Sequence, residues 1–164
     1  MIQKYIYGDP IETDAVIKEI PTSEGHPSYG TISTQDGFSF TYIMQPEDIV
    51  YGLGESNRGI NKRGFLYVSN CTDEPNHTED KQSLYGAHNF IIVDGINHSF
   101  GLFVDYPTNL TFDIGYTRQD TLSITCADAD LKLYVIDGSD AYDITRQFRH
   151  IIGRSYIPPR FAFG

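Results

Sequence analysis

Between Phe38 and Ile136 apolar and polar residues alternate with a period close to two, in short runs separated by turn-forming residues. The runs are Phe38–Met44, Ile49–Leu53, Phe65–Ser69, Asn89–Val93, Gly101–Tyr106, Leu110–Ile114, Thr121–Cys126 and Leu131–Ile136. So many short strands with no helical pattern between them predict an all-β fold, an antiparallel β-sandwich rather than a parallel α/β sheet. Asp-Gly pairs at Asp36-Gly37, Asp94-Gly95 and Asp137-Gly138 are predicted turns, because both residues tolerate positive φ. Beyond Asp137 the period changes. Ile144, Phe148, Ile151 and Ile152 fall at i, i+4, i+7 and i+8, the stripe of one amphipathic helix from about Asp140 to Ile152. Ser139 is its predicted N-cap, Asp140 and Asp143 suit its positive end, and Arg146, Arg149 and His150 suit its negative end before Gly153.

Two irregular stretches, residues 54–64 and 70–88, interrupt the strands, and loops of that length inside a compact domain tend to carry function. The last segment, Ser155 to Gly164, is apolar where a domain usually trails into polar residues, which predicts continuation into further structure. The 164 residues carry 12 Lys and Arg against 22 Asp and Glu, a net charge of −10. This excludes a basic face for nucleic acid or an anionic membrane, so neither is a predicted partner. The opening MIQKYIYGDP has no apolar core of a secretory signal, which predicts a cytoplasmic setting and reduced thiols at Cys71 and Cys126.

No cofactor or metal motif is present. Gly52-Leu53-Gly54 lacks the glycines and lysine of a phosphate cradle and reads as a tight bend. Asp128 and Asp130 read as turn carboxylates, since the closing Glu of a calcium loop is missing. The five histidines have no metal-ligand spacing. With 22 acids, carboxylate pairs alone cannot identify a hydrolytic site. The segment Asn70-Cys71-Thr72-Asp73-Glu74-Pro75-Asn76-His77 differs in kind, because it gathers short hydrogen-bonding side chains around a proline turn. It reads either as a reach toward a polyol ligand or as Asn70 and Asp73 closing local Asx-turns.

Six pieces occur in order: Tyr51-Gly52-Leu53-Gly54-Glu55, Asn61-Lys62-Arg63-Gly64, Asn70 with Asp73, Leu84-Tyr85, Phe100-Gly101-Leu102-Phe103 with Asp105, and Gly153-Arg154 with Pro158-Pro159-Arg160-Phe161-Ala162 and Gly164. As an ordered set they resemble the N-terminal region of glycoside hydrolase family 31, the α-glucosidases and α-xylosidases, from about Phe38 to Gly164. The resemblance implies a galactose-mutarotase-like β-sandwich over residues 1–153, with 154–164 starting a linker into a (β/α)8 catalytic barrel that these 164 residues do not include. It implies retaining hydrolysis of α-glucosides by two acids of that barrel, so no catalytic residue is assigned here. By motif match, Asn70–His77 is the loop that walls the active site. The same match implies that Asp73 accepts a hydrogen bond from a sugar hydroxyl, with Asn70 and His77 as further substrate-binding candidates that support the loop. The implied partners are the chain's own downstream barrel and an α-glucoside oligosaccharide. Arg58, Lys62 and Arg63 read as a basic patch, either docking on that barrel or solvated. A free carbohydrate-binding module and an aldose epimerase remain alternatives; the absence of Trp weighs against the first, and the short chain against the second.

Overall fold

The computed structural model describes residues 1–163; Gly164, the last residue of the terminal motif, lies outside the described residues. Two five-stranded antiparallel sheets face one another. In the first, β1 (Ile2–Tyr7) lies beside β10 (Leu131–Gly138), followed by β7 (Ser99–Asp105), β6 (Phe90–Asp94) and β4 (Ile49–Gly52). In the second the order is β2 (Thr31–Ser33), β3 (Phe38–Ile43), β9 (Thr121–Cys126), β8 (Leu110–Ile114) and β5 (Phe65–Ser69). The eight runs read from the alternation are all strands, and one helix, α1 (Ala141–Ile152), follows them. The fold is the all-β sandwich with a C-terminal helix that the periodicity predicts.

Between the sheets, Phe100, Leu102 and Val104 of β7 and Leu131, Leu133 and Val135 of β10 meet Phe38, Phe40, Leu122, Ile124, Phe112 and Ile114 of the second sheet. The first sheet is apolar on its other face too, where Ile92, Phe103, Tyr134 and Ile136 are covered by Ile144, Phe148 and Ile151 of α1 and by Ala15, Val16 and Ile20. Hence all of β7 is buried, and strict alternation fails there. The same two-sided burial explains why β1 escapes the periodic reading: Tyr5 faces the inter-sheet core while Ile2 packs on the opposite face.

Two glycines seat the helix. A Cβ on Gly101 would lie 2.6 Å from Cγ2 of Ile144, and one on Gly138 would lie 2.6 Å from its Cγ1. Gly138 therefore serves the helix contact, and the turn predicted at Asp137-Gly138 is instead the last rung of β10, paired with Phe100 and Ser99 of β7. The predicted N-cap also shifts by one residue. Asp140 holds the extended conformation and its carboxylate accepts from the Asp143 N–H at 2.8 Å, while the Ser139 hydroxyl donates to the Asp140 carboxylate and its N–H to that of Asp143. Gly153, at φ +91°, closes the helix as read from the sequence.

The helix direction follows from its contacts. Ile144 sits over Gly101 and Gly138, whereas Phe148 stacks on Phe90 at 3.8 Å, at the start of β6. Its C-terminal end therefore points to the end of the sandwich where β6 begins and β5 stops. The chain leaves α1 there, with Tyr156, Ile157, Phe161 and Phe163 at 81, 86, 84 and 74 % exposure.

Filling the hollow under Ile144 is expected to be costly. Gly101→Ala should lower stability by about 1–3 kcal/mol through overpacking, and Ile144→Ala by about 2–5 kcal/mol through the cavity it leaves. Urea midpoints unchanged by both would contradict this packing. A second prediction concerns base. Burial raises the phenols of Tyr5, Tyr7, Tyr29, Tyr42, Tyr67, Tyr106 and Tyr134, with Tyr7, Tyr29 and Tyr134 reaching about 12. A raised phenol favours the neutral form in the fold, so its contribution is complete below the unfolded value of about 10 and is lost as pH climbs through the folded one. Phenolate absorbance from these residues is expected to rise together with loss of near-UV circular dichroism, not ahead of it.

Candidate functional site

At the end where α1 finishes, a long loop leaves β5 at Ser69 and returns to β6 at Phe90. Its two roots are joined by a Ser69–Asn89 side-chain hydrogen bond, and Asn89 Nδ2 also donates to the Tyr106 carbonyl at 3.0 Å. The second sheet is thereby tied to the first at this end. The loop then folds back along β5, which as the last strand of its sheet has free backbone groups. Val68 N–H donates to Gln82 O at 3.0 Å, and Thr72 N–H donates to Leu84 O at 2.8 Å. An exposed edge of this kind invites pairing with other chains, and the loop covers it.

The GLGE stretch braces the loop from behind. Gly52 and Leu53 hold φ of +116° and +59°, which makes this the tight bend the sequence predicts. At Gly54 a Cβ would stand 2.1 Å from the Gly86 carbonyl, so only glycine lets the two segments touch. Glu55 completes the clasp: its N–H donates to Gly86 O at 2.7 Å, and its carboxylate accepts from Gly86 N–H at 3.2 Å.

Asp73 lies between two fixed neighbours. Thr72 is pinned to Leu84, and the Glu74 carboxylate accepts from Asn76 N–H at 2.9 Å and pairs with Lys81 Nζ at 3.0 Å. The Asn76 N–H bond and then Lys81 draw the Glu74 pKa below the ordinary glutamate range. Among the described residues the Asp73 side chain itself has no hydrogen bond or ion pair, and it is exposed. The Asx-turn expected of Asp73 and Asn70 is thus not made by either side chain; the local turn bond belongs to Glu74. Asn70 is half-buried and lines a groove of about 470 Å³ with His88, Asn89, Asp105, Tyr106 and Asn109. His77 is exposed farther along the loop, its ring edge-on to Tyr85 at 5.2 Å. Asn70 thus faces the groove, whereas Asp73 and His77 stand on the loop outside it.

Arg58, Lys62 and Arg63, read as a basic patch, each bond oxygens of the domain itself, with Lys62 buried and Arg58 and Arg63 half-exposed. Arg58 donates to the carbonyls of Leu66, Glu79 and Asp80. Lys62 is buried, its Nζ donates to Ser56 Oγ at 2.9 Å, and burial together with Arg58 pushes its ammonium below the usual lysine range. Arg63 Nη1 donates to the carbonyls of Gln45, Pro46 and Asp48. Each cation satisfies backbone oxygens or a hydroxyl where the 53–64 segment crosses between the sheet edges, a use that charge pattern alone does not reveal. Asp128 accepts from Asp130 N–H at 3.4 Å, the turn role read from the sequence, and from Tyr106 OH at 2.7 Å, whereas the Asp130 carboxylate accepts from the distant Asp9 N–H at 2.9 Å and makes no local turn bond. Asp105, nine-tenths buried beside the groove, accepts from Thr13 Oγ1 at 2.5 Å. That contact comes from an N-terminal segment whose place in the fold the sequence reading missed.

Residues 18–113 match the family described as the glycosyl hydrolase 31 N-terminal galactose mutarotase-like domain. The chain is 28 % identical over 137 residues to α-glucosidase 2 of Bacillus thermoamyloliquefaciens, covering 78 % of this chain and 17 % of that protein. It is 26 % identical over 121 residues to an α-xylosidase of Lactiplantibacillus pentosus, covering 74 % of this chain and 15 % of that protein. Among solved structures, the Flavobacterium johnsoniae GH31 dextranase complexed with glucose superposes with a TM-score of 0.71 at 23 % identity, over 81 % of this chain and 16 % of that one. That likeness shows the fold. The chain spans about one-sixth of the length of the curated relatives it matches. With the family model covering more than half of its residues and the sandwich in place, the chain belongs to the glycosyl hydrolase 31 N-terminal galactose mutarotase-like domains.

Proposed function

We propose that this domain forms part of the active-site wall of a retaining α-glucosidase-type glycosidase whose catalytic (β/α)8 domain follows it in the chain. The observation that carries the reading is Asp73: an exposed carboxylate without a partner among the described residues, held between two residues that are each pinned to the loop's far limb. A flexible acid loses conformational freedom on binding a hydroxyl; one fixed in advance loses less. The apolar exit segment supports the same reading. Tyr156, Ile157, Phe161 and Phe163 emerge at the loop's end of the sandwich and suit burial against a following domain.

In the retaining scheme one carboxylate of the catalytic domain attacks the anomeric carbon, a second protonates the leaving oxygen, and water then resolves the glycosyl-enzyme. This domain supplies neither acid. Asp73 would accept from a hydroxyl of an α-glucoside oligosaccharide, holding the sugar while those acids act, and Asn70 and His77 would support the loop or line its approach. No metal or cofactor is required for this role.

In the whole glycosidase, Asp73→Ala is expected to reduce kcat/KM for α-linked disaccharides by roughly tenfold to a hundredfold, the size of a shielded hydrogen bond to a charged acceptor. A change within twofold would refute the sugar contact. The 164 residues alone are expected to release no product from nitrophenyl α-glucoside or maltose. Turnover that scales with protein and survives repurification would show instead that the sandwich carries chemistry of its own.

A further inference from the structure

We infer that Arg58 is a positioning residue for the loop: its guanidinium fastens the stretch opposite Asp73 to the edge of the sandwich and thereby sets how Asp73 is presented. The consequence for sugar rests on the reading given above for Asp73; the clamp itself rests on geometry. Arg58 Nε donates to Glu79 O at 2.6 Å and Nη2 donates to Asp80 O at 3.1 Å, while Nη1 donates to Leu66 O at 3.0 Å. Leu66 belongs to the outermost strand of its sheet, paired only with β8. One cation therefore joins two consecutive loop carbonyls to a sheet edge. Its guanidinium carbon lies over the rings of Phe65 and Tyr67, 4.2 and 5.0 Å from their centroids.

Other bonds do not duplicate this link. Gln82 and Leu84 are tied to β5 and Thr72 through the backbone, but residues 76–80 are joined chiefly to one another. Thr78 N–H donates to Asn76 O at 3.0 Å, Lys81 N–H donates to Thr78 O at 3.3 Å, and Thr78 also bonds the Asp80 side chain. If the Arg58 bonds are lost, this stretch is free to move, and Lys81 moves with it. Lys81 is the partner that fixes Glu74, the residue next to Asp73. A lysine at position 58 would keep the charge but lose the planar fork that reaches three carbonyls in different directions.

The first test is amide hydrogen exchange on the 164-residue chain with Arg58→Ala and Arg58→Lys. Both variants are expected to speed exchange at the Asn76, Thr78 and Lys81 amides about tenfold or more, with β7 and β10 amides unchanged as the control for folding. Unaltered protection at Asn76, Thr78 and Lys81 in both variants would overturn the clamp. The second test is a double-mutant cycle in the whole glycosidase, using α-linked disaccharides. Arg58→Ala is expected to lower kcat/KM about fivefold or more, and Arg58→Ala combined with Asp73→Ala to fall no further than Asp73→Ala alone. Additive losses would overturn the assignment to Asp73, because a residue that only stabilised the fold would act independently of it. If Asp73→Ala alone changes nothing, the reading of Asp73 fails and the sugar consequence fails with it, while hydrogen exchange still decides the clamp.

Discussion

The sheet of β1, β10, β7, β6 and β4 is apolar on both faces, and neither face can be left to water without losing the burial that stabilises the domain. One face is covered by the second sheet. The other is covered by α1, with its stripe of Ile144, Phe148 and Ile151, together with Ala15, Val16 and Ile20 of the segment between β1 and β2. The hollow made by Gly101 and Gly138 accepts Ile144 in one position, and the Phe148 stack on Phe90 sets the direction in which the helix runs. From this the placement of the chain's exit follows: the segment after Gly153 emerges at the end of the sandwich where the loop from β5 to β6 projects.

That loop is ordered without a core of its own. Its order comes from backbone bonds to a sheet edge, from the Glu55–Gly86 clasp, from the Glu74–Lys81 pair and from the Arg58 fork. Surface ion pairs alone contribute little. Here Glu55, Glu74 and Arg58 also bond backbone N–H or C=O groups, and this makes a polar loop hold a shape. The result is a carboxylate, Asp73, that is offered outward instead of being spent on its own loop.

Much of the fold was legible in the sequence because most strands bury one face and read as alternation. β1 was not, since Tyr5 and Ile2 are drawn to opposite faces of a sheet covered on both sides. β2 is three residues long, too short to show a period. Asp137-Gly138 carries the composition of a turn but serves a close helix contact, a demand that a local pattern does not distinguish. At the candidate site, the order of motifs located the loop and its family, whereas the tasks of Arg58, Lys62 and Arg63 depend on which carbonyls and hydroxyl the fold brings beside them. Nothing in a run of basic residues announces that.

The most direct test is a crystal structure of this domain together with the catalytic domain proposed to follow it, with a bound α-linked oligosaccharide. The account predicts an Asp73 carboxylate oxygen within hydrogen-bond reach, about 3.2 Å or less, of a sugar hydroxyl, with the Asn70–His77 loop lying across the mouth of the catalytic domain. A loop turned away from the sugar, with Asp73 in solvent and the pocket closed by other residues, would contradict it.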